Sequence, residues 1–149
     1  MRKWFNRAAY VIVVVTWVPI AVLLLYHPEP PYQSIGEDFI TPPATVQYGN
    51  DDDRLGISRS YRITRKATMQ MERVAIQGDC TVKCDIVELP SSMLEFKPGE
   101  YHNSVKEHAL PNVVTPGHWA FRFTLVYKDF LGRPQSIVLP PLAFEVLPP

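Results

Sequence analysis

Hydrophobic positions along this chain fall into two regimes. From Ala8 to Tyr26 ("AAYVIVVVTWVPIAVLLLY") no residue is charged, and Thr16 is the one plainly polar side chain. From about Leu55 onward, apolar residues come in short alternating runs separated by Gly and Pro. A continuous run predicts a helix that is apolar all round, whereas a period of two predicts strands with one buried face.

The first regime is nineteen residues long. At about 1.5 Å per residue it spans roughly 28 Å, close to the hydrocarbon thickness of a bilayer. Cleaved secretory signals have a shorter apolar core, about 7–15 residues, followed by a small-x-small site. Here the run ends in Leu23-Leu24-Leu25-Tyr26-His27-Pro28, without such a site. The pattern therefore predicts an uncleaved anchor, kinked at Pro19. Arg2, Lys3 and Arg7 precede the run, and no Lys or Arg follows it until Arg54. That asymmetry predicts a cytoplasmic N-terminus and an exported C-terminal part, which at a bacterial inner membrane would be periplasmic or extracellular.

Residues 27–50 hold five prolines and few paired apolar positions. They read as an extended stalk, to which Phe39-Ile40 and Ala44–Val46 could add a first edge strand. Beyond it, six segments read as strands: "RSYRITRK", "MQMERVAIQ", "TVKCDIVEL", "NSVKEHAL", "HWAFRFTLVYK" and "QSIVLPPLAFEVL". In the fifth, Trp119, Phe121, Phe123, Leu125 and Tyr127 alternate with Ala120, Arg122, Thr124, Val126 and Lys128, so the odd-numbered face belongs to the core. Pro116-Gly117 opens that strand and the segment Asp129–Pro134, with Gly132, closes it as a hairpin loop. The expected fold is all-β, a single antiparallel β-sandwich behind one N-terminal transmembrane α-helix and a Pro-rich stalk. The expected division is a basic N-terminus over 1–7, the membrane helix over 8–26, a Pro-rich linker over 27–54 and the sandwich domain over 55–149.

Charge changes this picture little. The formal net charge is zero, but the first seven residues hold three of the fifteen basic groups, leaving twelve basic against fifteen acidic in the rest. Such a mildly negative exterior part is no nucleic-acid footprint. The two cysteines, Cys80 and Cys84, lie in the exported part, where a disulfide can persist. On one straight strand they would stand about 13 Å apart, so either a turn over Thr81-Val82-Lys83 bridges them or they stay free thiols.

The basic start, single span, Pro-rich stalk, "SYRITRKATMQMERVAI" and "LPNVVTPGHWAFRFTLVYKDFLG" together resemble small membrane proteins encoded by phages and prophages. The resemblance implies one exterior immunoglobulin-like domain. The family often pairs a Cys near the first of these strands with one in the late strand, and this chain departs from that by holding both in 80–84.

Catalytic signatures such as G-x-S-x-G, H-E-x-x-H, a Walker sequence or a glycine-rich dinucleotide loop do not occur. His102, His108 and Glu107 could hold a metal across a hairpin, but the histidines read as solvated loop and edge-strand residues. Asp51-Asp52-Asp53 reads as a solvated linker, since calcium loops alternate their ligands around a Gly turn. Ser104 and Lys106 would share a strand face, without an oxyanion hole beside them. Neither a cofactor nor a small-molecule substrate is expected. Phe130 and Leu131, two large apolar residues in a hairpin loop, either dock on a partner or fold back over the open end of the core. The expected function is that of a membrane-anchored, non-enzymatic accessory protein, using its sandwich for binding or scaffolding of an envelope or phage protein. A spanin-like phage lysis component and an envelope hydrolase are the alternatives.

Overall fold

The structure, a computed structural model, describes residues 2–26, 29–50, 53–78, 85–111 and 113–149, with side chains from Val14 onward. Among the described residues one helix, α1 (Arg2–Leu25), runs through Pro19 and is followed by ten strands. Three are short: β1 (Tyr32–Ser34), β2 (Phe39–Ile40) and β3 (Thr45–Gln47). The longer ones are β4 (Arg54–Ile63), β5 (Ala67–Gln77), β6 (Ile86–Phe96), β7 (Gly99–Ala109) and β8 (Gly117–Lys128), with β9 (Pro134–Val138) and β10 (Leu142–Leu147) closing the chain.

The strands form two sheets. In the first, β4 is central, with β7 on one side and β1 and β2 one after the other on its other side, all antiparallel. The second has the order β3-β10-β8-β5-β6, and β9 continues beside β8 where β10 leaves off. All its pairs are antiparallel except β3 with β10, which run parallel. The all-β expectation therefore holds for the part beyond α1.

Alternation on β8 explains why the sheets face each other as they do. Trp119, Phe121, Phe123 and Leu125 are buried, whereas His118, Arg122 and Lys128 are exposed. Across the interior, β4 offers Leu55, Ile57, Tyr61 and Ile63, all buried. Phe121 and Phe123 approach to 4.7 Å between ring centroids, and Phe121 meets Phe144 of β10 at 6.0 Å. Trp119 satisfies its one polar group internally, its Nε1–H donating to the Thr115 carbonyl at 2.8 Å.

Three sequence expectations change. The stretch expected as a stalk is mostly part of the domain: β1, β2 and β3 lie within it, and Pro31, Tyr32 and Val46 are buried. Pro30 and Pro31 precede β1, and Pro42 and Pro43 lie between β2 and β3, where a missing N–H costs no ladder bond. The tail is two strands, because Pro140 and Pro141 interrupt the ladder. Between the strands Leu139 is buried, and its N–H donates to the Phe123 carbonyl at 3.0 Å. The third segment begins at Ile86 and runs on through Pro90 to Phe96. A proline inside it is tolerated because β6 is an edge strand and is bulged there, opposite Met71 and Arg73.

Register also assigns the two ends of the sandwich. Tyr32 pairs with Ile63, Ile63 with Gly99, Ala67 with Phe96 and Lys128 with Pro134. The entry from α1 and the connections 64–66, 97–98 and 129–133 thus lie at one end. At the other end lie the start of β4, the end of β5 and the connection 110–116, since Arg54 pairs with Ala109 and Gln77 with Trp119.

The face assignment on β8 has a direct consequence. Phe121→Ala should cost about 3–5 kcal/mol in chemical denaturation, because its ring is fully buried among other rings. Arg122→Ala, one residue on and exposed, should cost under about 1 kcal/mol.

Candidate functional site

Two places combine chemistry with geometry: a polar layer inside the sandwich and the β8–β9 loop beside the end of α1. The polar layer exists because the inward positions of β4 and β5 each include an arginine. Arg59 stands between Ile57 and Tyr61, and Arg73 between Met71 and Ala75. The Arg59 guanidinium lies 3.9 Å from the centroid of the Phe123 ring, a cation–π contact. Its Nε is 3.5 Å from the Asp38 carboxylate, a side chain only 2% exposed. Arg73 donates to the Pro90 carbonyl through Nε at 3.2 Å and also through Nη2, filling the gap left by the bulge.

His108 of β7 closes this layer. It is 6% exposed and rests against the rings of Phe121 and Phe123. The histidine expected to be solvated is thus a core residue, and the reason is strand parity: Leu55 of β4 pairs with it. Arg73 Nη1 lies 3.4 Å from His108 Nδ1, an arrangement that suits a neutral ring accepting at Nδ1. Burial first, then the charges of Arg73, Arg59 and Lys106, lowers the His108 pKa from 6.5 to about 4. Burial also raises the Asp38 carboxyl and pushes the Tyr32 hydroxyl to about 12.

Tyr32, Arg59, Tyr61, Ser104, Lys106 and His108 line a cavity of about 40 Å³ between the sheets. That is room for one or two waters, and far below the roughly 300–1,000 Å³ of pockets that bury a small molecule. Ser104 and Lys106 do face the same space, as their spacing predicts. The Arg59–Asp38 pair is an internal ion pair against an aromatic floor, with the chemistry of a packing and specificity device.

Elsewhere the expected residues separate. His102 is exposed, and its Nε2 is 3.6 Å from Glu100, far along β7 from His108. Among the described residues no group of three or more His, Cys, Asp or Glu is placed to hold a metal ion. Cys80 and Cys84 lie outside the described residues, as do Asp51 and Asp52. Asp53 is described, and accepts the Gln47 N–H at 2.8 Å.

Phe130 and Leu131 occupy the loop tip where the sequence puts them, 49% and 43% exposed. The loop is rigidified by Asp129, whose Oδ1 accepts the N–H groups of Leu131 and Arg133, both at 2.9 Å. Its Oδ2 accepts Arg133 Nε at 2.7 Å, and Gly132 takes a φ of 77°, which a glycine adopts without strain. Desolvation pushes the Asp129 carboxyl up, but the hydrogen bonds from Arg133 and Leu131 together outweigh it and the net shift is down. The tip does not fold back over the core. Phe130 instead meets Tyr26 edge-on at 5.8 Å, while Arg133 donates to the carbonyls of Leu24 (3.2 Å) and Tyr26 (3.3 Å). These carbonyls belong to the helix end, where a cation is favoured. Sequence reasoning missed this role for Arg133, since nothing local links position 133 to position 24.

Compared with known proteins, the chain matches no family model, no curated protein and no solved structure.

The polar layer makes two outcomes measurable. Asp38→Ala should destabilise by about 3–5 kcal/mol by leaving the Arg59 charge buried and unpaired, and Asp38→Leu combined with Arg59→Met should recover most of that loss in the same denaturation series. For His108 the folded pKa lies below the unfolded one, so the unfolded state takes up the proton first as pH falls. Stability should therefore drop between about pH 6.5 and pH 4, by roughly 2 kcal/mol after allowance for solvent screening. His108→Gln should flatten that slope in melting curves recorded against pH, and it isolates the histidine from Asp38, whose raised pKa acts with the opposite sign toward pH 4.

Proposed function

We propose that this chain is a membrane-anchored, non-enzymatic accessory protein. Its immunoglobulin-like sandwich serves binding or scaffolding outside the membrane that α1 crosses. The observation that carries the reading is the contrast between α1 and everything after it. Large apolar residues on α1 from Val14 to Leu25 are exposed on all sides of the helix, Val15, Trp17, Leu24 and Leu25 among them, and over these described side chains the sandwich covers no face. Such a surface calls for a lipid environment.

Among the described residues no helix is long and apolar enough to cross a membrane, the described side chains of α1 covering Val14–Leu25, about 18 Å of helix. The uncharged sequence begins earlier, at Ala8, and the helical backbone at Arg2. The whole helix is about 36 Å long, enough for a span with Arg2, Lys3 and Arg7 at its cytoplasmic end.

Strand order supports the immunoglobulin-like reading. β1/β2, β4 and β7 fit the A, B and E strands of such a domain, and β3, β10, β8, β5 and β6 fit A′, G, F, C and C′. The parallel β3–β10 pair fits the A′ and G strands, which run parallel in that arrangement. One hallmark of antibody domains is placed differently: the buried tryptophan, Trp119, stands on β8 rather than on β5. The resemblance to small phage and prophage membrane proteins suits this architecture and makes an envelope or phage component the expected partner.

Topology tests the reading. An alkaline phosphatase fusion after Pro149 should be active and a cytoplasm-dependent reporter at the same point inactive. The protein should stay with membranes through carbonate extraction, and mass spectrometry should find Met1–Tyr26 still attached. Release by carbonate, or cleavage near residue 27, would end the anchor reading.

A further inference from the structure

We propose that the α1-proximal end of the sandwich is itself a lipid-binding surface, with Phe130 and Leu131 seated in the interface of the bilayer that α1 enters. The inference rests on the anchor reading above and adds to it a second, independent membrane contact that sets how the domain stands. Its first support is position. Arg133 grips the carbonyls of Leu24 and Tyr26, and Phe130 packs on Tyr26, so the loop lies beside the last turn of the apolar helix. Where α1 leaves the hydrocarbon, Phe130 and Leu131 are at the same level. They are half exposed and continuous with an apolar surface that already requires lipid.

The second support is charge. The connections gathered at this end carry Arg65, Lys66, Lys97, Lys128 and Arg133, against Glu29 and Asp129. Asp129 is held by Arg133, while Lys66, Lys97 and Lys128 are exposed at this same end of the sandwich. Lys128 is the last residue of β8, and Glu95 and Glu100 stand one residue in from the ends of β6 and β7, with Glu100 paired with Arg62. At the opposite end the described charged groups beside the connections are Asp53 and Asp85 against Arg54. An apolar tip at an end that also presents a collar of exposed lysines along its connections is complementary to an interface with anionic headgroups, where aromatic and aliphatic groups enter the acyl boundary and ammonium groups meet phosphate. The lysine collar is poorly suited to the apolar centre of a protein interface, where lysine is depleted.

Tryptophan quenching tests this on the full chain. The protein is reconstituted into vesicles of phosphatidylcholine and phosphatidylglycerol whose acyl chains are brominated. Two variants add one indole each: Phe130→Trp at the tip and Val113→Trp at the far end, an exposed position. After subtraction of the wild-type signal, the added emission of Phe130→Trp should be quenched at least about twofold more than that of Val113→Trp. Replacing Lys66, Lys97 and Lys128 together by Glu in the Phe130→Trp background should reduce the quenching. If the chain resists carbonate extraction yet the two added indoles are quenched alike, the lipid contact is overturned, the anchor stands, and the tip is left to a protein partner. If carbonate releases the chain, the anchor reading and this inference fail together. Unchanged quenching in the triple lysine variant would overturn the role of the collar.

Discussion

Everything beyond α1 is arranged around the aromatic row of β8. Trp119, Phe121, Phe123 and Leu125 project from one strand into a space bounded by the other sheet, and each ring needs covering on several sides. That requirement places β8 inside its sheet, between β5 on one side and β9 and β10 on the other. It also explains why the chain spends so many short pieces at its margins. β1, β2 and β3 are too brief to be stable alone, yet each closes a gap over apolar surface that two longer strands leave open. The prolines between them set short extended pieces without asking for ladder bonds they cannot donate.

The same row organises the polar interior. Two inward arginines and a histidine would be costly in an aliphatic core, but Phe123 offers the Arg59 guanidinium a π face, and Asp38 supplies the opposite charge. Burial first, and then the charges of Arg73, Arg59 and Lys106, hold His108 toward its neutral form. A layer of this kind adds little net stability compared with a well-packed apolar one, but it penalises any register in which its partners are separated. Since a one-residue slip of a strand exchanges its two faces, a penalty of that kind acts on the pairing of β4, β5 and β7.

At the end nearest α1 the logic is different, because there the groups that meet are far apart in the chain. Arg133 serves two roles with one side chain: through Asp129 it holds the β8–β9 loop in shape, and through its terminal nitrogens it holds that loop to the carbonyls that end the helix. A rigid loop beside a helix end gives the sandwich a defined orientation to whatever surrounds α1.

Local patterns in the sequence determined a good deal. The uncharged run after Arg7, the two-residue period of β8 with its odd-numbered face inward, the turn at Pro116-Gly117 and the placing of Phe130 and Leu131 in a hairpin loop were all legible, because each depends on neighbours within a few positions; whether that loop folds back over the core was not. Sheet order, the division of the tail into β9 and β10, and the drawing of residues 29–50 into the domain were decided by tertiary structure, as they depend on which edges remain open once the long strands have paired. His108 shows the difference most plainly. Its sequence surroundings, Lys106 and Glu107, are those of a solvated strand, yet it is buried because the parity of β7 is set by its pairing with Leu55, more than fifty positions away. Arg133 and Leu24 are separated still further, and only the folded chain brings a guanidinium to a helix end whose carbonyls have no following turn to bond.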